Sequence, residues 1–407
     1  MVPLLQGIKV LEVGAVVLGP LSAQILADLG AEVIKIEPLT GDVARQSHPS
    51  VNGEGALFIN NNRNKRMVAL DLKHPQGRAT LDRLIERSDV FLHNMRFDAA
   101  KRLGLEHEQV AAINPRIIHC AAIGFGQRGR YRNRPAFDDI IQAASGLAGL
   151  SAERGFEPQF IPTILADKVA ALHVVYGVLA ALVARGNGHQ GPFNIEVPMF
   201  EALVSFMLNE HLAGATFNED GPLGYPRVMS RDRRPYRTAD GWIAVLPYTG
   251  EQWSRFLDEV GRNDITEQPW FINARERQTR IDDLYAIMAD ALPTRATVDW
   301  IAALSKRDVP CSEVNLLHDL LVDPHLNDVG FFDVDEGFPA DILRTLPQPV
   351  EFGGIERSAD RAPAAVGADT RAVLRGCDLS EQEIDDLVAA GAAADAVKPN
   401  IRSGAAA

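Results

Sequence analysis

Two acidic positions in the sequence carry side chains that could do chemistry. Asp167 stands in the segment LADKVAA, at the start of a long apolar stretch, and Asp138 and Asp139 stand together in PAFDDII. An aspartate before a helix is commonly its N-cap, which contributes about 1 kcal/mol, and the other pair could equally be solvated or capping residues. The positive end of a helix also lowers the pKa of a carboxylate and keeps it ionised, so a capping role at Asp167 is compatible with nucleophilic attack.

A glycine-bounded turn near the N-terminus is a candidate site for a phosphate-bearing ligand. It runs from Gly14 to Gly19, between the apolar run Ile8–Val13 and a helix expected to begin at Pro20. With Glu37 at the end of the next strand, this order imitates a dinucleotide site. The turn lacks the close glycine pair of G-x-G-x-x-G, however, so we expect no nicotinamide cofactor. The helix N-terminus could still face another phosphate.

Composition narrows the class of protein further. The formal net charge of −13 disfavours a nucleic-acid partner. Cys120, Cys311 and Cys377 stand far apart, without a CxxC pair or a histidine at metal spacing, so we expect no metal, no disulfide framework and a cytoplasmic location. No signal peptide is predicted at the N-terminus. The most apolar stretch, Val169–Ala184, is shorter than the ~20 residues that span a bilayer, so we predict a buried helix and no membrane partner.

Alternating strands and helices position these candidate sites and predict an α/β fold with a doubly wound parallel sheet. Strands are predicted at residues 8–13, 31–37, 67–72, 89–94, 116–124 and 193–197. Helices are predicted at residues 21–29, 75–87, 107–112, 168–185 and 199–212. The Gly- and Arg-rich segment 125–165 is expected to be irregular.

A change of composition near residue 215 indicates a second domain. The segment GPLGYPRVMSRDRRPYRTADG is basic and rich in turn residues, and strand-like pieces return after residue 330. We expect a large domain at 1–214, a linker and small domain at 215–329, a return to the large domain at 330–391, and a disordered tail at 392–407. Helical periodicity recurs at 251–261, 281–304 and 380–390.

Several motifs in fixed order resemble the family III CoA-transferases, the CaiB/BaiF group, over roughly residues 5–390. The motifs are GPLSAQILADLGAEVIKIEP, NNRNKRMVALDLKHPQG, DVFLHNMR, INPRIIHCAAIGFGQRG, FDDIIQAASGL, ILADKVAAL, GNGHQGPFNIEVPMFEAL and VPCSEVNLLHDLLVDPHL. The group includes formyl-CoA and carnitine CoA-transferases and the 2-methylacyl-CoA racemases. The resemblance implies a Rossmann-like large domain built from both chain ends, a smaller α+β domain, and a homodimer of two interlocked rings.

The same resemblance implies an acyl-CoA:carboxylate CoA-transferase whose nucleophile matches Asp167. In this chemistry the carboxylate forms an anhydride with the acyl group and then a thioester with CoA, without a metal. Asp138, or Asp139 beside it, matches a second acidic position, and Asp138 is the better aligned. The resemblance implies that coenzyme A takes part in the reaction as the substrate acyl-CoA. The positions that match its binding residues are Val16, Val17, Leu18, Leu70, Lys73, Asn94, Met95 and Arg102.

This chain departs from the family pattern in three places. Pro38 and Ile123 stand where some members place Arg and Lys, so the phosphate clamp must differ in detail. The glycine-rich flap of formyl-CoA transferase has no counterpart before GWIAVLPYTG, which indicates a different acid. In its place stand arginines that could bind the distal carboxylate of a dicarboxylate such as succinate, or could belong to a basic linker. These arginines are Arg227, Arg231, Arg233, Arg234 and Arg237.

One residue separates the transferase from the racemase hypothesis. Racemisation needs an acid/base group on each face of the α-carbon, and the racemases place a histidine immediately before the second acid. Here that position is Phe137, which cannot transfer a proton, and His173 is interpreted as a core or interface residue. We therefore favour the transferase. A 2-methylacyl-CoA racemase, a non-catalytic CoA-binding protein and a nicotinamide oxidoreductase stay open as alternatives.

Overall fold

The computed structural model describes residues 1–335 and 343–395, which form two compact units. The large unit comprises residues 1–147 and 160–206 with the described residues from Val329 onward, and the small unit comprises Ala148–Gln159 and Met207–Asp328. The longer segment of the small unit thus begins at Met207, inside a helix, whereas the composition change predicted a domain boundary at residue 215. It also takes in a short segment of the N-terminal half that sequence alone did not separate.

Strands and helices alternate along the first two hundred residues. In the described residues the strands are β1 (Lys9–Val13), β2 (Glu32–Glu37), β3 (Ser50–Val51), β4 (Glu54–Gly55), β5 (Lys65–Leu70), β6 (Val90–His93), β7 (Ile118–Ile123), β8 (Phe193–Pro198), β9 (Tyr236–Arg237), β10 (Trp242–Val245), β11 (Cys311–Glu313), β12 (Asp333–Asp335), β13 (Leu343–Thr345) and β14 (Ala393–Ala394). The α-helices are α1 (Leu18–Asp28), α2 (Ala56–Asn62), α3 (Pro75–Glu86), α4 (Phe97–Arg102), α5 (His107–Ile113), α6 (Asp138–Ala144), α7 (Leu150–Glu153), α8 (Leu165–Gly186), α9 (Met199–His211), α10 (Pro226–Met229), α11 (Gly250–Glu259), α12 (Asn263–Thr266), α13 (Pro269–Ile272), α14 (Ala274–Thr279), α15 (Ile281–Ala291), α16 (Thr297–Lys306), α17 (Pro324–Asp328), α18 (Thr370–Arg375) and α19 (Glu381–Ala389).

The large unit is built on a seven-stranded sheet in the order β14-β5-β2-β1-β6-β7-β8. All neighbours pair in parallel except β14, which runs antiparallel to β5. Successive residues of β1 point to different cores, since Val10 packs with α1 and α8 whereas Leu11 packs with α3, α18 and α19. Both faces are therefore covered, which confirms the predicted mixed α/β fold and explains its continuous apolar strands.

The first β-α-β unit forms as predicted, with one shift at its helix. Helix α1 begins at Leu18, two residues before Pro20, so the proline lies inside the first turn, where no backbone N–H is needed. Gly30 follows the helix with φ of 99°, and a Cβ there would lie 2.6 Å from the carbonyl oxygen of Val2. Glycine is required at this helix end for both reasons.

Two predictions for the middle of the chain were wrong in detail. The segment predicted to be irregular contains α6 and α7, which are too short to show a clear apolar period. The periodicity at 281–304 is interrupted, because Pro293 lies in a 3₁₀ turn at Leu292–Thr294 between α15 and α16.

Helix α8 is long and apolar enough to cross a membrane by length and composition. Its residues Ala170, Val174 and Val178 lie in the core of the large unit, against α1 and the sheet. The opposite side is not covered, since Leu172 and Tyr176 are 59% and 60% exposed. The prediction of a buried helix therefore holds for one face only.

The small unit has its own core around the antiparallel sheet β11-β10-β9. Trp253, Tyr285 and Trp300 are almost completely buried there.

At the C-terminal end of the described residues, Ala392 and Ala393 are buried and β14 pairs with β5, so the tail predicted to be disordered from residue 392 is ordered at its start. The rest of that prediction, at 396–407, lies outside the described residues.

Candidate active site

Asp167 lies at the third position of helix α8, in its first turn. The residue that precedes the helix is Ile164, so Asp167 is not the N-cap that the sequence suggested. Asp138 is the first residue of α6, a helix that contacts α8. Both carboxylates therefore lie at the positive ends of helices, where a negative charge is favoured.

The Asp138 carboxylate is hydrogen-bonded to the helix that carries Asp167. Its Oδ1 accepts the backbone N–H of Asp167 at 3.1 Å, and its Oδ2 accepts a hydrogen bond from Gln142 Nε2 at 2.7 Å. Asp138 is thus the capping residue of α8, contributed from 29 positions earlier in the chain. The bond fixes α8 relative to α6 and holds the two carboxylates close together.

Gln142 is a site residue that the sequence analysis missed. Its side chain is fully buried, its Oε1 accepts the N–H of Ile161 at 2.9 Å, and its Nε2 donates to the carbonyl of Thr163 at 3.2 Å. It therefore holds the segment that leads into α8. Its spacing of four residues from Asp138, on one helix face, was the available signal.

The environment of Asp167 raises the pKa of its carboxyl group to about 6 from an ordinary value of 3.8. The main cause is burial, followed by the negative charge of Asp138. The backbone N–H of Leu18, at the start of α1, faces the carboxylate and acts in the opposite direction. At pH 7 the carboxylate is mostly ionised but poorly solvated, a state that favours nucleophilic attack.

The turn between β1 and α1 carries the predicted CoA-binding residues Val16 and Val17 and leads into Leu18, whose backbone N–H faces Asp167. The side chains of Val17 and Leu18 are buried. Asn94, at the end of β6, donates to the carbonyl of Ala15 at 2.8 Å and accepts the Ala15 N–H at 2.9 Å. The two glycines that bound the turn lie against each other. A Cβ on Gly19 would be 3.3 Å from the Cα of Gly14 and 3.2 Å from Asn94 Cγ.

Beneath this turn lies a buried ionic cluster that the sequence analysis did not single out. Glu12 accepts hydrogen bonds from Lys35 Nζ at 3.1 Å and from Lys65 Nζ at 2.8 Å, and all three side chains are completely buried. Lys65 also donates to the carbonyl of Pro20 at 2.8 Å. Charged residues within otherwise apolar strands, as in VLEV and VIKIE, were the available signal.

The remaining predicted CoA-binding residues lie at the carboxyl ends of neighbouring strands or in the segments that follow them. Lys73 follows β5, Met95 follows β6, and Arg102 ends α4. Lys73 and Arg102 are exposed, and neither forms an ion pair with another of the described residues. Leu70 is 1% exposed with its side chain in the core, so only its backbone could face a ligand. Ligands of open α/β sheets bind at this edge.

Of the five arginines predicted to bind an acid, Arg227, Arg231 and Arg237 lie against aromatic rings. The guanidinium of Arg227 lies 4.4 Å from the ring centroid of Tyr248 and donates to the carbonyl of Pro247 at 2.9 Å. Arg237 lies 4.3 Å from the ring centroid of Trp242, and Arg231 lies 5.3 Å from that of Phe156. Stacking fixes the plane of each guanidinium and leaves its edge able to donate.

A separate polar cavity of about 260 Å³ in the large unit contains neither Asp167 nor Asp138. Among its lining residues are His93, His107 and His119. Burial, with a smaller effect from His119, lowers the pKa of His93 to about 3, so that ring is neutral near pH 7.

Within residues 1–335 and 343–395, no group of three or more His, Cys, Asp or Glu side chains could hold a metal ion.

Comparisons with known proteins agree on one family. A sequence model of CoA-transferase family III matches residues 5–370. The chain is 29% identical over 378 residues to a probable fatty acyl-CoA transferase of Mycobacterium tuberculosis, and the matched region covers 89% of this chain and 95% of that protein. It is 28% identical over 392 residues to a succinate–glutarate CoA-transferase of Agrobacterium fabrum, with coverage of 93% and 97%. The crystal structure of a CaiB/BaiF family protein from Brucella suis matches with a TM-score of 0.79 and 26% identity, covering 93% of this chain and all of that one.

Proposed function

The chain belongs to CoA-transferase family III, and we propose that it moves CoA between two carboxylic acids by covalent catalysis on Asp167. The observation that carries the assignment of this residue is the setting of its carboxylate. It is partly buried, it faces the Leu18 amide, and Asp138 fixes it at the start of an apolar helix. The eight predicted CoA-binding residues remain part of this proposal.

The proposed reaction proceeds in four acyl transfers. A carboxylate oxygen of Asp167 attacks the acyl-CoA carbonyl, which gives a mixed anhydride and CoA thiolate. The thiolate attacks the aspartyl carbonyl, which gives an aspartyl-CoA thioester and releases the donor acid. The acceptor carboxylate attacks this thioester and regenerates the thiolate, and the thiolate then attacks the acceptor acyl carbonyl. The products are the new acyl-CoA and the original Asp167 carboxylate, so no proton or electron is gained or lost.

The backbone N–H of Leu18 has a defined role in this sequence. In the resting enzyme it faces the Asp167 carboxylate and lowers the pKa of that group. When the other oxygen is acylated, the same donor polarises the aspartyl carbonyl and stabilises the charge that develops on it during attack by the thiolate. Asp138 has a positioning role, because its hydrogen bond to the Asp167 N–H holds the start of α8 and keeps the attacking oxygen in place.

CoA would bind at the carboxyl edge of the sheet. The exposed cations Lys73 and Arg102 are available to its phosphates, and the N-terminus of α1 presents further N–H donors. Ile123 at the end of β7 supplies no charge at a position where some relatives have one. We therefore place the phosphate contacts on the side of β5 and α4.

The acid to be tested first is a dicarboxylate such as succinate. A relative named for succinate and glutarate matches this chain over most of its length. The stacked guanidinium of Arg227 or Arg237 is rigid enough to pair with a carboxylate in bidentate fashion. A monocarboxylate of similar length is the matched comparison, and equal rates with both acids would argue against this role of the arginines.

A second copy of the chain is the proposed partner of the uncovered face of α8. Leu172, Tyr176 and Val183 are each about 60% exposed there, and Phe206 of α9 is similarly exposed. Apolar side chains of this size in one helix face are usually covered by protein. We expect light scattering to show a homodimer, and the family resemblance implies that its two subunits are interlocked. A monomer with full activity would contradict this.

The decisive experiment is mass spectrometry of the intact protein after incubation with succinyl-CoA or acetyl-CoA and a hydroxylamine or borohydride trap. We expect a product on Asp167 that is absent in Asp167→Ala and present in Asp139→Ala, the matched control at a neighbouring exposed aspartate. Deuterium wash-in at the α-carbon of a 2-methylacyl-CoA, without any adduct, would indicate the racemase instead. Neither signal with a range of thioesters would favour a non-catalytic CoA-binding protein.

A further inference from the structure

The turn that carries the Leu18 amide contains an unfavourable backbone conformation. Val16 has φ of 68°, in the left-handed region that β-branched residues rarely adopt. Such a conformation persists only where the surrounding structure imposes it. Two residues later begins α1, which packs against α8, and the N–H of Leu18 faces the Asp167 carboxylate.

Asp42 supplies the contact that holds Val16 in this conformation. Both of its carboxylate oxygens lie 3.3 Å from the Val16 nitrogen, and Oδ1 also accepts the N–H of Ala44 at 3.0 Å. The Asp42 side chain is buried, and it caps the 3₁₀ turn Val43–Gln46. An acceptor fixed in this way sets the direction of the Val16 N–H.

Lys35 joins Asp42 to the other end of the turn. Its ammonium group donates to the carbonyl of Gly14 at 2.7 Å and to Glu12 at 3.1 Å, and it forms an ion pair with Asp42 Oδ2 at 3.0 Å. The buried charge is thus compensated by two carboxylates and one carbonyl group. Lys35 therefore fixes Gly14 directly and Val16 through Asp42.

We propose that Lys35 and Asp42 are positioning residues for the reaction at Asp167, because they hold the turn Gly14–Leu18 so that the Leu18 amide faces the nucleophile. This inference rests on the proposed function. A buried lysine–carboxylate pair is costly to form and seldom adds stability over an apolar pair, whereas such pairs can select one conformation. Here the selected conformation is the strained turn.

Substitution of Asp42 by alanine tests the inference. Without the acceptor, Val16 is expected to leave the left-handed region and the Leu18 amide to move off Asp167. A hydrogen bond to a charged group is worth roughly a 10- to 100-fold change in rate, so we expect Asp42→Ala to slow adduct formation on Asp167 by that factor. Loss of an N–H donor raises the pKa of a carboxylate. The pH at which the rate falls on the acid side of the pH–rate profile (the acid limb) should therefore rise by about one unit. The charged group that acts on Asp167 is Asp138, which this variant leaves in place.

A second substitution separates positioning from a merely structural role. Glycine adopts positive φ without strain, so Asp42→Ala combined with Val16→Gly should recover several-fold in rate and return the acid limb toward its original pH. Glu32→Gln is the matched control. Glu32 lies on the same strand as Lys35, and its substitution breaks a partly exposed ion pair with Arg66, so it should alter neither quantity.

Three results would be informative. If the wild type forms the adduct and Asp42→Ala forms it at an unchanged rate and pH dependence while only the melting temperature falls, the positioning role is overturned. If the wild type forms no adduct, the proposed function fails, and hydrogen exchange of the peptide covering residues 14–18 still tests the turn. Exchange that is unchanged in Asp42→Ala would then refute the part played by Asp42.

Discussion

Replacing the proposed nucleophile by its isosteric amide should abolish activity and stabilise the protein. In wild type the folded state must hold a charged carboxylate at Asp167 in a poorly solvated place beside Asp138, which raises its pKa from 3.8 to about 6. A difference of about two pH units, at about 1.4 kcal/mol each, corresponds to about 3 kcal/mol above pH 6. Partial exposure of the side chain reduces this through solvent screening, so we expect Asp167→Asn to gain about 1–3 kcal/mol.

The pH dependence of this gain follows from the direction of the pKa change. Between about pH 4 and pH 6 the folded protein keeps a proton on Asp167 that the unfolded chain has lost, so wild-type stability falls as pH rises. Below that range both states are protonated, and above it the full penalty applies. The amide side chain of the Asp167→Asn variant carries no charge at any pH. The difference between the two proteins should therefore develop from pH 4 to 6 and remain constant at higher pH.

Urea unfolding at pH 4 and pH 8, followed by circular dichroism, measures the effect. All four tryptophans lie in the small unit, so their fluorescence does not directly report the large unit that contains Asp167. Asp139→Asn is the control. It removes an exposed carboxylate from the first turn of α6 and should lose up to about 1 kcal/mol. Equal stability of Asp167→Asn and wild type at pH 8, or a gain of the same size at pH 4, would refute the reasoning.

Three further predictions concern neighbouring groups. Asp138→Asn removes the negative charge that raises the pKa of Asp167, so the acid limb of kcat/KM should move below about pH 6; a limb that stays in place would contradict the coupling. Gly19→Ala puts a Cβ 3.2 Å from Asn94, which should displace the turn and lower kcat/KM for acyl-CoA by about 10- to 100-fold in steady-state assays. Burial raises the pKa of the Cys120 thiol to about 12, so iodoacetamide should label it only after unfolding, as peptide mapping would show.

Local patterns predicted much of the fold correctly. The apolar run at Ile8–Val13, the turn and Gly30 predicted β1, the end of α1 and the start of β2, because each depends on neighbouring residues. The same holds for α19, where the predicted helix after Ser380 forms with a capping box to Glu383. Helix α6 was missed because seven residues are too few to establish a period.

Residue types and local motifs were sufficient to identify the family, to predict the alternation of strands and helices, and to single out Asp167 as the candidate nucleophile. The groups that surround that carboxylate are known only from the folded chain. Leu18 and Asp138 reach it from separate segments of the chain, and Lys35 and Asp42 hold the turn from a neighbouring strand and loop. These contacts depend on the order and register of the sheet, which bring distant residues together. Residue type and local spacing predict an element and its caps, but they do not specify which distant side chain an element will meet.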